Sequence, residues 1–501
     1  MDIQVISGAI QEREADALIV SLFAGGQPDG ATRAVDERLD GAIGELIAGG
    51  DFSGKAGQVA VLYPRGALPA RRVLIVGLGP RQGFGLEAVR RAALHAARRA
   101  RALSARRIAT ILHGAGDPNV EAAAQAVAEG TLLGLYEYRG QRSAPAAANL
   151  ETMELVVPHP QDVPAAQRGV DAGQTIAAGV ALARDLVNLP PNICTPTYLA
   201  EAAGEAARHA GLRLEVLERT QMEALKMGAL LAVAQGSDTP PRFIILEHNG
   251  PHTAEMETLV LVGKGITFDT GGYTLKTMEG MANMKSDMAG GAAVIGALQA
   301  IGTLGLPLHV VGLVPAADNM ISGRAFRPQE VVTASNGVTI EIISTDAEGR
   351  LLLADALVYA GRFDPRAVVD IATLTGSCVT ALGEGVAAGL FSSDDGLRDR
   401  LLAAAAATSE RLWPLPLFPE YETAIESKVA DLQNGGGRNS GVGASATFLK
   451  HFVTCPAWAH IDMAGMALGS KDNPYVTEKS ATGFGVRLLT ALAREMASKR
   501  A

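Results

Sequence analysis

The chain has 501 residues, a formal charge of -9, and only 4% aromatic residues, so it exceeds what one hydrophobic core usually serves and at least two domains are expected. The acidic balance gives no electrostatic case for nucleic acid or a membrane surface as the main partner. Cys194, Cys378 and Cys455 form no CxxC pair, which supports neither a disulfide framework nor a zinc-thiolate cluster and points to a reducing, cytoplasmic setting.

The start, MDIQVISGAIQERE, has an acid at position 2 and no basic region ahead of an apolar run, so no secretory signal is expected there. No stretch reaches the unbroken apolar length of a membrane helix. ALIVSLF and RRVLIVGLG read as buried parallel strands, and 87–103 and 120–135 as helices. They predict a small α/β domain over 1–160. The turn GLGPRQGFG places its third glycine one residue late for a dinucleotide loop, so no nucleotide is expected there. Arg90, Arg91, Arg98, Arg99, Arg101, Arg106 and Arg107 read as a solvated or salt-bridged helix face, with a DNA-contacting stripe as the alternative. The segments 144–149 and VVPHPQDVP break the pattern and mark the domain boundary.

A long helical pattern from Ala165 through GQTIAAGVALARDLVN stops at Leu189, Pro190 and Pro191, because proline cannot continue a helix; it is expected to link the domains. Beyond it PRFIILEHN, TLVLVGKG, GGAAVIGALQAIG, LHVVGLVPA, VTIEII, LLLADALVYAG and AVVDIATL alternate strand with helix. A larger α/β domain over 161–501 follows, with a mainly parallel sheet covered by helices on both faces. In such sheets ligands sit beyond the carboxyl ends of the strands.

Lys264 and Asp269 follow one predicted strand, and Asp346 and Glu348 another, with Asp287 just ahead of a small-residue helix. So many charges among apolar strands are tolerated only if paired or bound to something strongly charged, and a pair of divalent cations meets that condition. If 346–348 is extended, Asp346 and Glu348 point the same way and reach one metal pair. Glycines 265, 271 and 272 let Lys264 and Asp269 converge. An oxygen-rich set without cysteine or histidine suits Zn, Mn, Mg or Co. Two cations close by would also leave Lys264 neutral and able to donate a lone pair. There is no HExxH, and Asn249, Gly250 and Pro251 between His248 and His252 forbid the helix that HxxxH spacing needs.

FDTGG, KSDM and TDAEGRLLLADAL resemble the signature blocks of the cytosolic leucyl aminopeptidase family, and the similarity is dense over 179–487, through ARDLVNLPPNICTP, ADNMISGRAF, DIATLTGSC, NGGGRNSGVGAS and WAHIDMAG. The resemblance implies a metal-dependent exopeptidase that releases leucine and other apolar residues from peptide N-termini by two-metal hydroxide attack. It implies Lys264, Asp269, Asp287, Asp346 and Glu348 as ligands to two divalent ions, with Asp269 and Glu348 bridging. It further implies Lys276 and Arg350 as the catalytic cations, and a bicarbonate proton shuttle held by Arg350 and by main-chain amides near Ala347, Gly349 and Leu374. The first-residue pocket would be lined by Met284, Thr373, Gly376, Ala464 and Ala467, and the subunits would form a homohexamer. Ser344, Tyr273 with Thr274, and Ser286 depart from the commonest family pattern without removing a ligand. A dimetal phosphoesterase is the other enzyme class that carboxylate clusters allow, although it usually adds histidines.

Overall fold

A computed structural model describes residues 1–114, 119–143, 150–250, 256–435 and 441–498. The expected boundary segment 144–149, His252 and much of the glycine loop NGGGRNSGVGAS lie outside the described residues. The chain divides into two compact units, Met1–Ala177 and Ala178–Ala501. The division falls inside helix Val163–Asn188, the segment read as a linker.

In the first unit, strands Asp2–Ser7, Thr152–Val157, Arg107–Ile111, Ala17–Phe23, Val73–Gly79 and Val59–Leu62 form one sheet in that spatial order. All neighbours are parallel except Val59–Leu62, which runs antiparallel to Val73–Gly79. ALIVSLF and VLIVGLG are buried at every position, as strands covered on both faces must be. Helices Leu86–Ala102 and Val120–Leu135 pack against each other through alanines and glycines. Arg90, Arg98 and Arg101 of the first helix bond to the second, while Arg91 pairs within its own helix. Arg90 is buried against Glu129 at 2.8 Å, Arg91 pairs with Glu87 at 2.9 Å, and Arg98 donates to the carbonyl of Gly134 at 2.9 Å. Arg101 donates to the carbonyl of Leu135, and Arg106 and Arg107 pair with Glu151 and Glu14. Arg90, Arg91, Arg101, Arg106 and Arg107 thus each face a carboxylate, which reduces the charge the stripe offers to a phosphate backbone.

The second unit is built on a mixed sheet. Its centre, strands Trp458–Asp462, Ala367–Ala372, Thr258–Gly263 and His309–Asn319, is parallel throughout. Antiparallel strands flank it, with Ala388–Ser392 on one side and Arg242–His248 followed by Arg213–Leu217 on the other. Val311 and Leu313 belong to the apolar cluster that also holds helix Gly349–Ala360. A side chain at the intervening Gly312 would meet Val294 and Leu298 of helix Ala289–Thr303. Successive residues point to opposite faces, so the two helices cover opposite sides of the sheet.

The segment VTIEII does not join this sheet. Its strand Thr339–Glu341 pairs antiparallel with Val331–Thr333 and parallel with Leu432–Gln433 in a separate small sheet. The reason is local: Asn336 and Gly337 make the link, and Gly337 takes φ 92°, the left-handed backbone that closes a tight hairpin.

Candidate metal centre

The carboxyl ends of the central strands deliver the charged residues to one place. Strand Thr258–Gly263 ends at Lys264, and the short strand Gly265–Asp269, paired with the end of His309–Asn319, delivers Asp269. The chain then turns sharply. Gly271 has φ 83°, and a Cβ there would come within 2.8 Å of Asp346 Oδ1 and 2.5 Å of the Thr274 carbonyl, so only glycine lets the two loops meet. Asp287 is fixed on the other side, after the short turn Met284–Ser286 and ahead of helix Ala289–Thr303.

Asp346 and Glu348 reach the site differently from the extended geometry expected. The segment is a turn, closed by the Ala347 amide donating to Ser344 O at 3.2 Å, and Glu348 already has helical backbone (φ -77°, ψ -36°) at the start of helix Gly349–Ala360. Their convergence comes from this turn and from the small sheet before it, not from strand alternation. Gly349 follows because a Cβ there would meet Lys264 Cε at 2.5 Å.

Each lysine bridges two carboxylates. Lys264 Nζ lies 2.9 Å from Asp287 Oδ1 and 2.8 Å from Glu348 Oε1, and it donates to the Thr373 carbonyl at 3.1 Å. Lys276 Nζ lies 2.8 Å from Asp269 Oδ2 and 2.6 Å from Asp346 Oδ1. Asp269, Asp346 and Glu348 each present an oxygen within 4.8 Å of the others. Burial opposes charge on both lysines, yet the surrounding carboxylates hold both well above the usual lysine range. Burial pushes the Asp287 carboxyl up to about 6 against the pull of Lys264, with the charge of Asp269 adding to the rise. Burial and then Asp269 push Glu348 up to about 8. Asp346 is raised by burial as well, against its hydrogen bond from Lys276.

Four carboxylates facing two ammonium groups leave an excess of negative charge in a largely buried site. Glu348 Oε2 is also buried without a hydrogen-bond partner. An oxygen-rich set with surplus charge and an unsatisfied buried oxygen fits divalent cations.

The remaining expected residues gather around this cluster. Arg350 is buried and donates through Nη1 to the carbonyl of Asn434 at 2.7 Å, while its Nε is a buried donor without a partner. Burial brings its guanidinium down to about 10, with Glu348 and Asp462 resisting. Thr373 Oγ1 donates to Asp287 Oδ1 at 2.7 Å. The Leu374 amide donates to Asp462 Oδ1 at 3.2 Å, so an anion there would share that donor. Met284 and Ala464 are half-buried, Gly376 is exposed, and Ala467 is buried. His248 is engaged elsewhere: at the end of strand Arg242–His248 it bonds to the carbonyl of Leu306.

Three residues that sequence reading missed brace the site. Asn319, fully buried, donates to Asp269 Oδ1 at 2.8 Å and to the Thr345 carbonyl at 2.9 Å. Thr345 donates to the Gly271 carbonyl at 2.6 Å and accepts from the Thr274 amide. Asn434 accepts from the amides of Ile343 and Ser344 and donates to the carbonyls of Ser344 and Ala347. Neutral amides carry no charge signature. Only the placement of Asn319 in ADNMISGRAF and of Asn434 before the glycine loop could have drawn attention to them.

Known proteins resemble this chain along most of its length. A family profile described as the cytosol aminopeptidase family, catalytic domain, matches residues 181–490, and the N-terminal domain profile of the same family matches residues 19–145. The chain is 43% identical over 498 residues to a probable cytosol aminopeptidase of Roseiflexus castenholzii, covering 99% of each. It is 44% identical over 497 residues to one from Geobacter sp. strain M21, covering 98% of this chain and 99% of the relative. Among solved structures, the bottromycin maturation enzyme BotP in complex with Mn superposes with a TM-score of 0.85 at 37% identity, covering 97% of this chain and 100% of that one. A mutant of tomato leucine aminopeptidase gives 0.88 at 35% identity, covering 99% and 96%.

Proposed function

Since the chain belongs to the cytosol aminopeptidase family, a family of peptidases, we propose that it releases leucine and other apolar residues from peptide N-termini at a centre of two divalent cations. The observation that carries this reading is the convergence of Asp269, Asp346 and Glu348 oxygens within 4.8 Å at the carboxyl ends of the central strands. Lys264, Asp269, Asp287, Asp346 and Glu348 would hold the ions, with Asp269 and Glu348 shared between them. Manganese, the ion named with the BotP structure, and zinc are the first candidates, ahead of magnesium and cobalt.

When bound, the cations supply a nucleophilic water at neutral pH and positive charge for the oxyanion. The chain's own groups do the rest. Lys276 reaches over Asp269 and Asp346 from a side chain that is 17% exposed, so its ammonium can lean toward a substrate carbonyl and stabilise charge that develops there. Arg350 keeps a buried Nε donor without a partner, and with the first-turn amides beginning at Gly349 it would offer donors to a small planar anion. Bicarbonate would be that anion and would carry the proton to the leaving amine. Met284, Thr373, Gly376, Ala464 and Ala467 would receive the first side chain, an apolar lining that disfavours charged residues.

Among the described residues no helix is long and apolar enough to cross a membrane. Exposed apolar residues such as Trp413, Phe418, Val429 and Met278 are compatible with burial between subunits of a homohexamer. The deciding experiment is hydrolysis of leucine p-nitroanilide and of p-nitrophenyl phosphate by wild type and Glu348→Ala, after chelation and after reloading with manganese or zinc. Metal-restored peptidase activity confined to wild type is expected. Phosphatase activity, or a fully metallated Glu348→Ala enzyme with wild-type turnover, would sink the reading.

A further inference from the structure

Asp462 ends the strand Trp458–Asp462, in parallel register with Ala372 at the end of the neighbouring strand. It is 1% exposed, and its carboxylate acts wholly as an acceptor. Oδ1 takes the main-chain amides of Leu374 at 3.2 Å, Thr375 at 3.4 Å and Ala464 at 3.2 Å. Oδ2 takes the hydroxyl of Thr375 at 2.6 Å. That hydroxyl in turn accepts from the Cys378 amide and caps helix Gly376–Leu382. A carboxylate is the side chain whose lone pairs can satisfy this many donors from one buried point.

The two segments that Asp462 joins flank the carboxylate cluster. On one side, Thr373 touches Asp287 through its hydroxyl and Lys264 through its carbonyl. On the other, Ala464 begins the turn that leads to the buried Ala467. In the functional reading proposed above, Thr373 and Gly376 would form one wall of the first-residue pocket and Ala464 and Ala467 the other. The side-chain hydrogen bonds of Asp462 go to Leu374, Thr375 and Ala464 and to none of the residues proposed as metal ligands.

We propose that Asp462 is a positioning residue that sets the spacing between the two pocket walls, and so sets which amino-terminal side chain is accepted; this rests on the aminopeptidase reading above. Selectivity for leucine over alanine depends on filling a pocket of fixed width, and a wall free to shift by a fraction of an ångström forfeits the contacts of the larger side chain first. Catalysis depends mainly on the charged cluster, which Asp462 reaches through the chain at Leu374 and through its charge on Arg350, and such effects fall on both substrates and cancel in their ratio.

The test compares metal-loaded, full-length wild type, Asp462→Asn and Asp462→Ala on leucine and alanine amides of 7-amino-4-methylcoumarin, with metal content measured for each. Asn keeps an oxygen for the three amides and can donate its own N–H to the Thr375 hydroxyl, so its leucine-to-alanine ratio of kcat/KM should stay within about twofold of wild type. Ala leaves the amides without an acceptor, and the ratio should fall about tenfold, the scale of one to a few kcal/mol of pocket misfit, with metal content intact. If the Ala variant does not fold, Thr375→Val, which deletes the 2.6 Å bond, should move the ratio the same way by less. An unchanged ratio in a folded, metal-replete Asp462→Ala, or in Thr375→Val, overturns the proposal. So does an Asn variant as unselective as the Ala variant. A wild type that cleaves neither amide would instead remove the functional reading, and this proposal with it.

Discussion

Arg350 donates through Nη1 to the main-chain carbonyl of Asn434 at 2.7 Å, across 84 residues of sequence. Because the side chain of Asn434 also holds both ends of the segment from Ile343 to Ala347, one buried amide ties the guanidinium to the loop that carries Asp346. Asn434→Ala would leave several buried donors and acceptors unmatched, each worth about 1–3 kcal/mol. The expected result is a folded enzyme whose metal affinity drops by about 10- to 100-fold, the usual consequence of losing a group that orients a ligand. Calorimetric metal titration checks it, and wild-type affinity in the variant would show that the loop holds its shape unaided.

Lys276 and Lys264 carry out the same neutralisation here but should respond differently to deletion. Lys276→Ala removes the cation from between Asp269 and Asp346, which leaves those carboxylates freer to bind a divalent ion. Metal affinity is therefore expected to hold or rise, while kcat falls by about two orders of magnitude or more for want of an oxyanion donor. Loss of metal from this variant would mean that the roles of the two lysines are reversed.

Ala467 is 3% exposed and its carbonyl is fixed by the Thr482 amide and hydroxyl. Ala467→Met cannot be absorbed by backbone movement at such a position and must push into the pocket. kcat/KM for phenylalanine substrates should drop about tenfold more than for alanine substrates. Equal losses on the two would place residue 467 away from the pocket.

His113 is a buried imidazole in the first unit, 3.4 Å from the Thr110 hydroxyl through Nε2, and burial brings its pKa down to about 4. The unfolded chain, with its imidazole near 6.5, binds a proton in the window between 4 and 6.5 that the folded chain refuses. Stability from this group is therefore complete above about pH 6.5 and is lost as pH falls toward 4, by about 3 kcal/mol at the lower end. Thermal unfolding of wild type and His113→Gln across that window should show a shallower acid decline in the variant; parallel curves would contradict the assignment.

Asp370 accepts from Trp458 Nε1 at 2.7 Å and pairs with His460 Nδ1 at 2.5 Å, all three buried at the centre of the sheet. Asp370→Ala strands both partners and should destabilise the fold by about 3–5 kcal/mol, read as a large drop in unfolding temperature. A drop of only a degree or two would mean that these groups find other partners.

The amino-acid sequence by itself marked the charged residues of this centre. Lys264, Asp269, Asp287, Asp346 and Glu348 stand among apolar strands and glycine turns, where an ionised group is unfavourable without compensation. Covered strands and helix stops were legible for the same kind of reason, since burial on both faces and proline leave local signatures. Tertiary structure decided what depends on who lies next to whom. VTIEII alternates like a main-sheet strand, yet the hairpin at Gly337 sends it into a separate sheet, so Asp346 and Glu348 arrive on a turn. Asn319, Asn434 and Asp462 brace the centre through partners 26 to 91 residues away. An amide has no charge to betray its burial, and a lone carboxylate shows no sign of which amides it will meet. Those partnerships exist only once the order of strands in the sheet brings their ends together, because a hydrogen bond is fixed by distance in space and not by distance along the chain.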